Sequence, residues 1–137
     1  MSALYTAVAI SSGDGRTGHV RTDDGVIDTD TRVPVSMGGP GGATNPEQLF
    51  AAGYAACFHS AIKLIGRQEK IDVTDSTVTA EVDIFKQDVG FGLGVRLVVR
   101  IPNTDPAAVA SVTEKAHQVC PYSNATRGNI EVDLQVG

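Results

Sequence analysis

The apolar positions along the chain change their period several times, and each change marks an element. Three short β-prone runs open the sequence: Tyr5 to Ser11, Gly18 to Thr22 and Val26 to Val33. Asp23-Asp24-Gly25 supplies a hairpin turn between the second and the third. From Met37 to Thr44 no period holds, and four glycines with Pro40 make a loop. A helix start follows. Asn45 suits the N-cap, Pro46 occupies a first-turn position where its missing N–H costs nothing, and Gln48 falls at the capping-box position. That helix is expected to reach about Ile65 or Gly66. Its middle, Leu49 to Phe58, is apolar on every face, so burial on all sides is expected. In a chain this small a second subunit could cover part of it, which points to a dimer.

Period two returns at Thr77 to Phe85, with Val78, Ala80, Val82 and Ile84 on one face. After Gly90 and Gly92 it recurs through Leu93, Val95, Leu97, Val99 and Ile101, so the two runs form a hairpin with one buried face. Asp105-Pro106 begins a second helix with Val109, Val112, Ala116 and Val119 as its apolar stripe, ending at Cys120-Pro121. Ile130, Val132, Leu134 and Val136 close the chain as a strand. The order βββ-α-ββ-α-β predicts one α+β domain over residues 1–137, with helices packed on mostly antiparallel sheet.

Composition narrows the function. With 137 residues and 42% hydrophobic content, one ordinary core is available. The net charge is −5 and no run of Lys or Arg occurs, which argues against nucleic acid and anionic membrane as partners. The first residues carry no basic cluster, Ala7-Val8-Ala9-Ile10 is far shorter than a signal-peptide core, and no stretch of the chain is expected to approach the ~20 apolar residues of a membrane span. A cytoplasmic, reducing location is therefore expected, where two cysteines are unlike a permanent structural bridge.

Cys57 lies inside the apolar helix, and its position alone favours a small core residue over a reactive thiol. Cys120, followed by Pro121, could cap a new helical turn, where the helix dipole favours a thiolate. Such a thiolate needs a cation. Arg16, on the Gly15-Arg16-Thr17-Gly18 turn, is one candidate; Glu47 could fix its fork, and Arg21 and Arg32 are alternatives. Glu47 and Cys57 are ten residues apart, roughly 15 Å along a straight helix. Cooperation then requires a helix that begins later, a long arginine reaching across, or residues of a second subunit. Cys57-x-His59 with His117-x-x-Cys120 resembles a zinc inventory, but residues i and i+2 on a helix diverge, so no metal is expected. His117 and Cys120 could instead form a Cys–His nucleophile. The glycine loop lacks the residues of a phosphate cradle and reads as a pocket-shaping loop.

Two segments carry a family signature: Gly41 to Phe58, which includes Glu47-Gln48-Leu49-Phe50 and Ala55-Ala56-Cys57-Phe58, and Val119 to Asn129, which includes Cys120-Pro121-Tyr122-Ser123-Asn124. With Leu4-Tyr5-Thr6-Ala7 and Gly15-Arg16-x-Gly18, they resemble the organic hydroperoxide resistance (Ohr) proteins, a branch of the OsmC superfamily. The resemblance implies an OsmC-like intertwined homodimer with its two active sites at the subunit interface. It implies Cys57 as the peroxide-attacking cysteine, Cys120 as the resolving one, Arg16 as activator and Glu47 as its anchor. It implies no bound cofactor, and a lipoyl dithiol carried on a partner protein as reductant. Leu49, Phe50 and Phe58, with Met37 and Phe91, are expected to wall an apolar substrate pocket. The rival readings are a redox sensor or binding protein using the same cysteines without turnover, and a hydrolase built on Cys120 and His117.

Overall fold

Glycine placement shapes the first of two compact units, Met1–Leu49, in the computed structural model, which describes every residue from Met1 to Gly137. Strands β1 (Ala9–Asp14), β2 (Thr17–Thr22) and β3 (Asp28–Thr31) form an antiparallel sheet in that order. Asp14 pairs with Thr17, so Gly15-Arg16 is a two-residue hairpin turn, with Gly15 at φ 70° supplying the left-handed position. The register set there ends at Ala9 opposite Thr22, and this is why β1 starts later than the Tyr5 expected from β propensity. Gly18 admits no side chain, because a Cβ would sit 2.2 Å from the Ser12 carbonyl oxygen. The β2–β3 connection is longer than the three-residue turn expected. Val26 and Ile27 belong to it, closed by the Thr22 N–H donating to Ile27 O at 2.8 Å and the Ile27 N–H donating to Thr22 Oγ1 at 3.0 Å. Val33 also leaves the strand, since its carbonyl accepts the Gly41 N–H and turns the chain into the glycine loop.

Helix α1 runs Pro46–Glu69. Its start is the one the sequence signals: Asn45 Oδ1 accepts the Gln48 N–H at 2.8 Å. Gln48 does not complete a capping box, because its side chain accepts from Thr44 Oγ1 instead. The helix outruns the expected end at Gly66. Gly66 is there to let Val73 approach, with a Cβ reaching within 2.7 Å of that side chain. The true stop is Lys70 at φ 58°, where Ile71 N–H donates to Gly66 O in a Schellman closure.

The second unit, Phe50–Gly137, holds most of α1, β4 (Thr77–Lys86), β5 (Phe91–Arg100), α2 (Pro106–Val119), a one-and-a-half-turn α3 (Pro121–Thr126) and β6 (Glu131–Val136). The sheet order is β4-β5-β6, antiparallel then parallel. Alternation places Ala80, Leu97 and Leu134 in one row across the three strands, and Val82, Val95 and Val132 in the next. That face meets Tyr54, Phe58, Ile62 and Ile65 of α1 and Val109, Val112 and Ala116 of α2 in one core. Val119, expected in the α2 stripe, is exposed. Two expectations about α1 change. It is 24 residues, long and apolar enough by length and composition to cross a membrane, although no such segment was expected. Within this chain it buries one face only: Ala52, Ala56, Ser60 and Leu64 stay open to solvent.

Candidate active site

Cys57 and Cys120 come together in the second unit with their sulfurs 3.5 Å apart, 63 residues distant in sequence. Helix α1 supplies Cys57. Cys120 lies in the break between α2 and α3, at ψ 125°, ending one helix and capping the next because Pro121 cannot continue α2. Their exposures differ. Cys120 is fully buried, whereas Cys57 is partly open and lines a hollow of about 400 Å³ with Ser60, Ala61, Leu64, Arg67, Val119 and Pro121. Burial pushes the Cys57 thiol above its ordinary pKa, the Tyr122 backbone N–H pulls it down, and the Cys120 thiol adds to the rise. The last effect is physical: two thiolates in contact cannot both be ionised. Burial dominates, so these neighbours together favour the thiol form of Cys57.

The first unit holds the cation that the sequence singles out. Arg16 projects from the two-residue turn, and its Nη1 and Nη2 donate to Glu47 Oε1 and Oε2 at 2.6 and 3.1 Å. This fork-to-fork pair raises the Arg16 pKa, chiefly through the hydrogen bonds to Glu47, and keeps the guanidinium charged. Thr31, 1% exposed, braces the turn from beneath by donating to Gly15 O at 2.7 Å and accepting the Gly18 N–H at 2.9 Å. The other two arginines are engaged elsewhere: Arg21 stands 3.7 Å from Asp28, and Arg32 donates to Thr31 O at 2.6 Å. Helix α1 begins at Pro46, so a later helix start is excluded as a way of joining Glu47 to Cys57.

The expected pocket walls are dispersed. Phe58 is fully buried in the core of this chain. Phe50 lines a separate apolar hollow of about 340 Å³ with Tyr122, Ala125, Thr126 and Ile130. Phe91 sits at the β4–β5 turn, in a hollow that contains neither cysteine. Met37 lies exposed on the glycine loop, and Leu49 in the first turn of α1. The residues that do flank Cys57 were missed, although helical spacing from position 57 would have found Ser60, Ala61 and Leu64. Thr31 and the Tyr122 N–H have no comparable signal. His59 donates to Ser76 Oγ at 3.0 Å, since that hydroxyl gives its own proton to Val73 O, and His117 Nδ1 bonds Ser123 Oγ at 2.8 Å. Both imidazoles are thereby engaged, and no cluster of metal-ligating side chains forms.

Known proteins share this arrangement of elements. The OsmC-like protein family matches residues 39–135. An organic hydroperoxide resistance protein of Xanthomonas axonopodis pv. citri is 47% identical over 133 residues, 96% of this chain and 93% of that one. The crystal structure of an organic hydroperoxide resistance protein from Legionella pneumophila superimposes with a TM-score of 0.93 at 50% identity, covering 99% of both chains. That of OhrB from Bacillus subtilis gives a TM-score of 0.90 at 43% identity, over 98% of this chain and 100% of the other.

Proposed function

This chain belongs to the OsmC-like family, in its organic hydroperoxide resistance branch, and we propose that it is a thiol-dependent peroxidase reducing organic hydroperoxides to alcohols. Relatives bearing that name support a redox role in resistance to organic hydroperoxides. The finer reading is carried by one observation: two sulfurs 3.5 Å apart, one open to a hollow and one sealed.

Unequal access divides the work. A hydroperoxide reaches Cys57, whose thiolate attacks the outer oxygen and breaks the O–O bond. The alkoxide leaves, takes a proton and departs as alcohol, and Cys57 becomes a sulfenic acid. Cys120 has no route to bulk peroxide and one neighbour to attack. Its thiolate displaces the sulfenic hydroxyl as water and forms the Cys57–Cys120 disulfide. The balance is one hydroperoxide and two thiols giving alcohol, water and disulfide. A dithiol reopens the bond by exchange; a lipoyl dithiol on a partner protein is assigned that role.

Ionising Cys57 against its burial requires a positive charge, and Arg16, aimed by Glu47, is assigned to supply it. In a homodimer the arginine serving a given Cys57 can come from either copy. The hollow beside Cys57 offers Ala61, Leu64, Val119 and Pro121 to an alkyl group. Each methylene buried there is worth about 0.8 kcal/mol, roughly fourfold in affinity, which favours alkyl hydroperoxides over hydrogen peroxide. The test is steady-state consumption of cumene hydroperoxide with dihydrolipoamide as reductant. Many turnovers, a preference over hydrogen peroxide and complete loss in Cys57→Ser are expected. Consumption that stops at one equivalent would instead make the protein a sensor.

A further inference from the structure

Beneath the two cysteines runs a buried polar chain that the proposed reaction does not use. His117 Nδ1 bonds Ser123 Oγ at 2.8 Å, Ser123 Oγ bonds the Tyr54 hydroxyl at 2.8 Å, and Tyr54 bonds Thr126 Oγ1 at 3.2 Å. Tyr54 and Ser123 are fully buried and Thr126 is 2% exposed. The chain joins three helices: Tyr54 belongs to α1, His117 to α2, Ser123 and Thr126 to α3. Its position relative to the sulfurs is regular. Cys57 lies one turn after Tyr54, and Cys120 lies three residues after His117 and three before Ser123.

Resting on the peroxidase reading, we infer that Tyr54, Ser123 and His117 are positioning residues that hold Cys120 against Cys57 for disulfide closure. Helix α3 has six residues, too few to be stable by itself, so packing against its neighbours decides where it sits. Apolar contact alone would let so short a segment slide. A hydroxyl shared by three helices at hydrogen-bond distance fixes it. The sulfurs must close from 3.5 Å to a bond of about 2.0 Å, and a displacement of about 1 Å in such a step costs up to ~100-fold in rate. The peroxide step depends on α3 only through the Tyr122 N–H that favours the Cys57 thiolate, a weaker demand than bringing two sulfurs into bonding distance. Loss of the tether therefore separates the two steps.

The experiment compares wild type, Tyr54→Phe, Ser123→Ala and the double variant, each reduced, checked for a cooperative thermal transition and mixed with one equivalent of cumene hydroperoxide. Peroxide loss reports the first step, and mass spectrometry of quenched samples reports the Cys57–Cys120 crosslink. Each single variant is expected to consume the first equivalent within about twofold of wild type and to crosslink roughly tenfold more slowly. Under excess peroxide these variants should accumulate sulfinic acid on Cys57. Because both substitutions cut the Tyr54–Ser123 link, the double variant should be slowed by less than the product of the two single effects. Crosslinking at the wild-type rate overturns the tether, as does an equal slowing of both steps or a slowing in the double variant that reaches that product. A wild-type protein that consumes peroxide but never crosslinks overturns the peroxidase reading itself, and the tether with it.

Discussion

Replacing Glu47 by Gln keeps the shape of the Arg16 partner and removes its charge. In the structure the guanidinium makes two bonds to the carboxylate, 2.6 and 3.1 Å long, with side-chain exposures of 39% for Arg16 and 15% for Glu47. A hydrogen bond to a charged group is worth about 1.5–3 kcal/mol net and a neutral one about 0.5–1.5, so the change weakens the fork by about 1 kcal/mol or more. Arg16 is more than a third exposed, and water recovers part of this, leaving ~0.5–1 kcal/mol. With 1.36 kcal/mol per factor of ten, the population of correctly aimed arginine falls about two- to fivefold. In the proposed reaction kcat/KM for cumene hydroperoxide should drop by that factor. The rate of iodoacetamide alkylation of Cys57 should drop alongside it, since both depend on the thiolate. Arg16→Met removes the charge altogether and should cost tenfold or more, with the pH midpoint of alkylation moving upward. Alkylation and turnover at wild-type rates in both variants would refute the argument that Arg16 ionises Cys57.

Thr31→Val removes the hydroxyl beneath the Arg16 turn without changing shape, stranding Gly15 O and Gly18 N–H in a site 1% exposed. Chemical denaturation should show a loss of about 2–4 kcal/mol, while Thr31→Ser stays within about 1; a loss below ~0.5 in the valine variant counts against the brace. His117 is held below the ordinary histidine pKa, first by burial and next by Arg127, with Glu114 opposing. A depressed folded value means that the unfolded chain takes up the proton first. Stability from this group is therefore present above about pH 6.5 and lost as pH falls through the folded value. Denaturation midpoints between pH 7 and 5 should fall more steeply in wild type than in His117→Asn, and equal slopes would contradict the assignment.

How much of this was legible in the sequence depended on whether the signal was local. Asn45-Pro46 placed the start of α1 because capping is settled within four residues, and the alternation of β4 and β5 placed the sheet face because its period is intrinsic to a strand. Registers and ends were misjudged where a distant group decides them. The Gly15-Arg16 turn moves β1 along the chain, Val73 rather than a helix stop explains Gly66, and the closing of the 23–27 loop takes Val26 and Ile27 out of β3. Both cysteines could be picked out, but their unequal exposure could not, because Val119 faces the hollow instead of the α2 stripe. The place of Phe58 depends on the same kind of distant packing. Phe58 is large and near Cys57 in sequence, yet one residue along a helix turns a side chain by about 100°, here straight into the core.

That turn of the helix bears on how overoxidation is avoided. In the proposed reaction Cys57 is partly open within this chain, so a second peroxide can reach its sulfenic acid. Its protection must come from speed. A partner thiol held in contact acts at an effective concentration that can reach ~10⁵ M, far above any hydroperoxide the protein meets, so closure wins whenever Cys120 stays in place. Replacing Cys120 by Ser removes that competitor and leaves access unchanged. The variant should consume its first equivalent of cumene hydroperoxide at nearly the wild-type rate. It should then lose activity as Cys57 is driven to the sulfinic acid in proportion to the peroxide supplied, followed by intact mass. A Cys120→Ser protein that rests stably as the sulfenic acid under excess peroxide would mean that Cys57 is guarded by something other than its neighbour, and the argument from speed would fail.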